Sequence, residues 1–295
     1  MFRSGEDPFS TVRVQPVAPA RQEDGWLAKL DIAFQRPAQE GGKVRLDFRH
    51  QGPLRIQKAL YPEGAGCCHA VLIHPPGGIA SGDRLELKIK SEAATHGLIT
   101  TPSATKWYGA QADQKASQSV AVELHGALEW LPMETIIFNQ ARVDSDITIQ
   151  AGPQAQMIGW DQLIFGRQAS GESFAQGLFK QSLQVELDGQ LQWHDRLVLH
   201  GDDALFSSPI GLRGHHSTAL LWALLKEGQT WTDTALEDLR LNSASLAWTR
   251  LHPRLLIGRL LAEPLELKAL MIQAWKTLRP LVFDIQAIEP RLWAT

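Results

Sequence analysis

Five carboxylates stand where an ion or a proton might be handled: Asp83, Glu134, Asp161, Glu172 and Asp195. Asp161 follows Gly159-Trp160, and Glu134 lies between Leu131-Pro132-Met133 and Thr135-Ile136-Ile137-Phe138. A carboxylate in such apolar company costs free energy unless it is paired or meets a cation. Taken singly, each is expected to pair with an arginine or a backbone amide, and Arg84, Arg167 and Arg196 are at hand. Taken together they suggest a chain of hard oxygen ligands, which hold a divalent ion weakly enough to release it.

Other reactive side chains yield less. His74 precedes Pro75-Pro76-Gly77-Gly78, a turn with a rigid entry and a permissive exit. His74, Asp83 and Asp161 together would suit a metal-dependent hydrolase, a competing reading. His215 and His216 are adjacent and point apart, so a polar loop is the expectation there. His125 and His200 flank glycines and read as structural. Cys67 and Cys68 are the only cysteines. A vicinal disulfide is strained, and two thiolates fall short of a structural zinc site. They read as strand residues facing opposite ways, with Cys68, beside His69, the better placed for a transient metal contact. Lys106 follows Thr100-Thr101-Pro102-Ser103-Ala104-Thr105 but has no oxyanion-hole signature near it. No G-x-x-x-x-G-K-[ST], H-E-x-x-H or G-x-S-x-G run occurs, and Gly64-Ala65-Gly66 lacks the rest of a dinucleotide fingerprint. The expectation is a protein without a catalytic centre of its own.

The elements that must hold these residues are mostly strands. Val44, Leu46 and Phe48, then Leu85, Leu87 and Ile89, then Val120, Val122 and Leu124 alternate with polar residues, as do Ile147 and Ile149. Such alternation gives each strand one face in a core and one in water. Leu183, Val185 and Leu187 run into Asp188-Gly189 before Leu191 and Trp193, which predicts a hairpin. Turn residues recur at Gly41-Gly42, Gly52-Pro53, Gly77-Gly78, Gly126, Gly152-Pro153 and Gly201-Asp202. This predicts a mainly β fold, a large stacked two-layer β-sandwich or β-helical scaffold with a few C-terminal α-helices. Residues 1–24 read as a flexible lead-in and 25–295 as one domain, β-rich to about 210 with helices mainly after 215. Thr218 to Lys226 reads as a helix-favouring run, Leu255 to Leu261 as a strand, and Leu265 to Leu278 as a helix opened by Pro264 and stopped by Pro280.

The 295 residues are 44% hydrophobic and carry a net charge of −3, a balance that argues against nucleic acid as the main partner. The longest apolar run, Ala219 to Leu225, is too short to span a bilayer. The N-terminal residues lack the pattern of a secretory signal, so a cytoplasmic location is the expectation.

A longer series of motifs narrows the field. Gly52-Pro53-Leu54-Arg55, Tyr61-Pro62-Glu63-Gly64, Cys68-His69, His74-Pro75-Pro76-Gly77-Gly78, Gly82-Asp83, Leu98-Ile99-Thr100-Thr101-Pro102 and Thr105-Lys106 come first. Leu128-Glu129-Trp130-Leu131-Pro132, Gly159-Trp160-Asp161, Gly166-Arg167, Gly171-Glu172 and Pro290-Arg291-Leu292-Trp293 follow. In this order the series, from Trp26 to Thr295, closely resembles the UreD (UreH) family of urease accessory proteins. Ser81, Ser103, Trp107, Met133 and Asp195 depart mildly from the family pattern.

The resemblance implies a non-enzymatic maturation chaperone with no tightly bound cofactor. It implies that nickel passes in transit through an internal polar tunnel to urease. The implied partners are UreF, the GTPase UreG through UreF, and the urease apoprotein. It assigns the path to Asp83, Asp161 and Asp195, with Glu63, Glu134 and Glu172 as further candidates and Thr105 and Lys106 as polar neighbours. Partner binding falls to the C-terminal helices, around Thr218 to Lys226 and around Leu267 to Leu278, at Leu267, Met271, Trp275 and Leu278. A purely structural clamp that carries no nickel is the remaining alternative.

Overall fold

A computed structural model describes residues 21–22, 25–36, 39, 41–110, 114–242 and 245–294. The strands are, in chain order, β1 (Arg21–Gln22), β2 (Gly25–Gln35), β3 (Arg45–Gln51), β4 (Arg55–Leu60), β5 (Cys68–Ile73), β6 (Arg84–Ser91), β7 (His96–Thr100), β8 (Thr105–Trp107) and β9 (Ala116–Leu124). Then come β10 (Ala127–Leu131), β11 (Thr135–Ile137), β12 (Arg142–Ala151), β13 (Gln156–Phe165), β14 (Leu178–Leu187), β15 (Gln190–His200) and β16 (Ser217–Leu224). Helix α1 (Asp233–Asn242), β17 (Ala247–His252), β18 (Leu255–Leu261) and α2 (Pro264–Phe283) complete the order.

One sheet runs β1-β2-β6-β9-β12-β14-β15, with β3 also on β2, and the other runs β17-β18-β16-β13-β10-β7-β5-β4, with β11 joining β13 to β8. Between β5 and β14 the chain passes back and forth from sheet to sheet. Neighbours within each sheet are therefore parallel there, as in β6-β9-β12-β14 and β5-β7-β10-β13. This is a coiled, β-helical winding of a two-layer stack, and it bears out the mainly β reading. The Asp188-Gly189 hairpin forms as expected: β14 and β15 are antiparallel with Leu187 opposite Gln190. Both turn residues have positive φ, 53° and 76°, which suits the twist of a tight hairpin.

The two sheets differ in what covers them. Strands of the first alternate buried and exposed along their length, as β6 and β12 show. Their inward residues, among them Leu30, Leu87, Val122 and Ile149, meet Ile99, Leu128, Met157 and Trp222 of the second sheet. The middle strands of the second sheet are covered on both faces, and β5 and β13 are buried almost throughout, whereas the edge strands β4 and β17 are largely exposed. Its outer face, with Leu98, Ile158, Trp160 and Leu221, packs under Leu267, Met271, Trp275 and Leu278 of α2. Each such apolar side chain contributes roughly 1.5–3 kcal/mol by leaving water.

Double coverage explains the main misreading. Thr218 to Lys226 is not helical: Ser217 to Leu224 form β16, between β13 and β18. A strand buried on both faces has no alternation and reads as a continuous apolar run. Strands thus continue well beyond residue 210, with β17 and β18 following. The second correction concerns Pro280, which lies inside α2 rather than ending it. Proline removes one amide donor, and the helix runs on to Phe283 before Asp284 closes it at positive φ, its amide donating to the Pro280 carbonyl. The lead-in expected over residues 1–24 lies outside the described residues, apart from Arg21–Gln22, which pair with β2. Among the described residues no helix is long and apolar enough to cross a membrane.

Candidate functional site

The predicted residues fall into three places. The first is the turn at His74 to Gly78. The Gly77 amide donates to the His74 carbonyl at 2.9 Å, and Gly77 takes a φ of 78°. A Cβ on Gly78 would lie 2.4 Å from the Tyr108 ring, so glycine lets the turn seat against the chain beyond β8. The Ile79 amide then donates to the Lys106 carbonyl at 2.7 Å. Asp83 is turned inward, and its carboxylate accepts from the backbone amides of Trp26 (2.8 Å) and Ala80 (2.9 Å). Thr105 and Lys106 lie on β8 opposite Thr135 and Ile136, and the Thr105 amide donates to the Glu134 carbonyl at 2.8 Å. Glu172 holds Arg167 (2.5 Å) and accepts from the Asn139 amide (2.9 Å), clasping a loop. His74, Asp83 and Asp161 are not among the groups of described residues whose ligand atoms converge. The hydrolase reading therefore loses its site.

The second place is a cavity of about 490 Å³ between β14–β15 of one sheet and β13, β16 and β18 of the other. Asp161 and Asp195 both line it, with Gln181, Arg196, Arg213 and Arg259. Asp161 reaches it because β13 turns Asp161 and Leu163 to the inter-sheet side. Among the described residues its side-chain partner is the amide of Gln181, which donates to Oδ2, and the Gln162 backbone adds a second hydrogen bond. Burial pushes the Asp161 carboxyl up to about 6, against the pull of that hydrogen bond. At neutral pH it is ionised, and among the described residues it has no counter-charge of its own. Asp195 does have one: Arg259 Nη2 lies 2.5 Å from its Oδ1. The loop at residues 205–213 forms part of the wall, and Ile210 there is 94% exposed.

The third place was largely missed. Beneath α2, Arg279 is fully buried and donates to two carboxylates. Its Nη1 and Nη2 meet Glu63 at 2.6 and 2.8 Å, and its Nε and Nη2 meet Glu129 at 3.1 and 3.0 Å. Glu129, itself fully buried on β10, also accepts from Trp275 Nε1 (2.6 Å) and bonds His96 Nε2 (2.8 Å). Glu63 bonds His69 Nε2 at 2.6 Å, and Cys67 Sγ lies 3.9 Å from Arg279 Nη2. Burial alone would raise Glu63, but its hydrogen bonds to His69 and Arg279 hold it down at about 2. Glu129 is likewise lowered, burial being outweighed by His96 and Arg279. Burial, then the charges of Glu129 and Glu63, push the Cys67 thiol well up, so it stays protonated.

Of this group only Glu63 was expected on the ion path, and Trp275 was expected to bind a partner. The two cysteines do face opposite ways, into the two separate cores. It is Cys67 rather than Cys68, however, that sits among possible ligands. The legible signal was Arg279 itself, a charge in the apolar stripe of α2 one turn after Trp275. Leu267, Met271, Trp275 and Leu278, expected to bind a partner, are fully buried against the second sheet. They hold the helix down, and a partner surface on α2 must use its other face, where Leu265 is 93% exposed.

Comparisons with known proteins agree with this architecture. The model of the UreD urease accessory protein family matches residues 27–294. Urease accessory protein UreD of Ralstonia nicotianae is 39% identical over 282 residues, covering 92% of this chain and 94% of its own length. The proteins of the same name from Pseudomonas paraeruginosa and Pseudomonas fluorescens are each 38% identical, covering 92% and 95% of this chain and 95% and 99% of their own lengths. A match that runs from β2 through both sheets and α2 leaves one conclusion: the chain belongs to the UreD urease accessory protein family, maturation factors rather than enzymes.

Proposed function

We propose that this protein is a non-enzymatic scaffold that passes nickel to the urease apoprotein, working with UreF and, through UreF, with UreG. The observation that carries this reading is the cavity between the sheets, where two carboxylates picked out from sequence, Asp161 and Asp195, meet across about 490 Å³. Asp161 is the stronger of the two. It is a buried anion held by the Gln181 side-chain amide and the Gln162 backbone, with no cationic partner among the described residues, so a passing divalent cation relieves a charge that these neutral donors leave uncompensated. One carboxylate and an amide hold such an ion loosely, which suits passage rather than storage. A cytoplasmic location fits this role.

The structural-clamp reading has support of its own. Asp195 is already paired with Arg259, and Asp83 is committed to two amides. Reconstitution separates the two readings. Urease apoprotein, this chain, UreF and UreG are combined with nickel, and both complex formation and urease nickel content are scored. A conduit predicts that Asp161→Ala leaves the complex intact and lowers nickel loading at least about tenfold. Normal loading with an intact complex sinks the conduit and leaves the clamp.

A further inference from the structure

Five possible metal ligands gather beneath α2, and three of them, Glu63, Cys67 and Glu129, touch the Arg279 guanidinium. Glu63, Cys67 and His69 form one set whose ligand atoms all lie within 4.8 Å of each other, and Cys67, His96 and Glu129 form another. Donors around a tetrahedral zinc-type ion lie about 3.5 Å apart, so modest closure would complete either set. The space they share is taken. Arg279 Nη2 lies 2.8 Å from Glu63, 3.0 Å from Glu129 and 3.9 Å from Cys67. We infer that Arg279 is the resident cation of a latent transition-metal cage, and that its guanidinium keeps a thiophilic divalent ion out.

Charge and proton balance support the exchange. Two carboxylates and one guanidinium leave a single net negative charge around a neutral thiol. Two carboxylates, one thiolate and one divalent ion leave the same net charge, with the thiol proton released to solvent. The low-dielectric interior therefore accepts either occupant, but not a metal together with the arginine. The remaining contacts are already those of an outer shell: Trp275 fixes Glu129, and the Gln286 carbonyl fixes Arg279 at 2.7 Å. The mixed sulfur, nitrogen and oxygen donors suit zinc, cobalt or nickel rather than calcium or magnesium.

The consequence is protective. A set with a thiolate, an imidazole and a carboxylate would hold such an ion far more tightly than the carboxylates of the inter-sheet cavity. An arginine in its centre removes that sink from the interior. The inference stands whether or not nickel travels through the chain, because its test reads metal at Cys67 and not urease activation.

Cobalt(II) is the probe, titrated into the full-length chain and followed by thiolate-to-cobalt charge-transfer absorption. The wild type is expected to show no such band. Arg279→Ala is expected to gain one cobalt per chain with the band present, and Arg279→Ala/Cys67→Ala to lose it. A Cys67-dependent band in the wild type overturns the exclusion. A folded Arg279→Ala protein without the band overturns the cage. Where Arg279→Ala does not fold alone, Arg279→Gln keeps bulk and hydrogen-bond donors in place. Where both are unfolded, cobalt must restore circular dichroism and the band together, and failure to do so also overturns the inference.

Discussion

Asp161→Asn is the most informative perturbation of the cavity, because it should stabilise the protein while disabling it. The wild-type carboxyl moves from an ordinary aspartate value of 3.8 to about 6 on folding, because it is buried. A group raised in the folded state contributes stability that is fully present below its unfolded value and is lost as pH rises through its folded value. The window is therefore pH 4 to 6, and the full penalty at neutral pH is about 3 kcal/mol. Asparagine cannot ionise, and its oxygen still accepts from Gln181. The variant's advantage should grow from about 1 kcal/mol at pH 4.5 to about 3 kcal/mol at pH 7.5. Urea denaturation of both proteins at the two pH values measures this directly, with m-values checked for equality. A difference that stays flat between the two pH values, or a variant less stable at pH 7.5, refutes the claim that Asp161 is held as an uncompensated buried anion.

Three further outcomes are expected. Glu129→Gln leaves Arg279 short of a charge and turns an amide toward existing donors; it should cost about 3–5 kcal/mol, a fall of roughly 5–15 °C in Tm by calorimetry. Gly159→Ala places a Cβ 2.2 Å from the Trp222 indole across the β13–β16 pair, and should cost at least about 2 kcal/mol, with the near-ultraviolet tryptophan signal altered and part of the loss recovered in Gly159→Ala/Trp222→Leu. Asp83→Asn can satisfy only one of the two amides that Asp83 now serves, and should lower the urea midpoint by the equivalent of about 1–3 kcal/mol.

Legibility in the sequence followed solvent exposure. The first sheet has one wet face, so β6, β9, β12 and the β14–β15 hairpin could be read from alternation and from Asp188-Gly189. The middle strands of the second sheet are dry on both faces, and β16 carries no period that separates strand from buried helix. Asp161 was visible as a carboxylate after Gly159-Trp160, and the structure places it in a cavity with Asp195. The cage under α2 was not visible in the same way. Its members come from residues 63, 67, 69, 96, 129 and 279, and only the winding of β5, β7 and β10 under the helix brings them together. The apolar stripe of α2 was read correctly as periodicity but assigned to a partner. An amphipathic helix shows that its face is covered, not whether the cover is another protein or its own sheet.

The span of the Arg279 contacts also sets an order of events during synthesis. Glu129 precedes Arg279 by 150 residues and Glu63 precedes it by 216, so both carboxylates leave the ribosome well before their counter-charge exists. β5, β7 and β10 can pair early, but their outer face cannot be sealed dry over two unbalanced anions. That face stays open to water, and to chaperones or proteases, until α2 is made and docks. A chain that stalls before residue 279 is thereby marked as unfinished by its own exposed sheet.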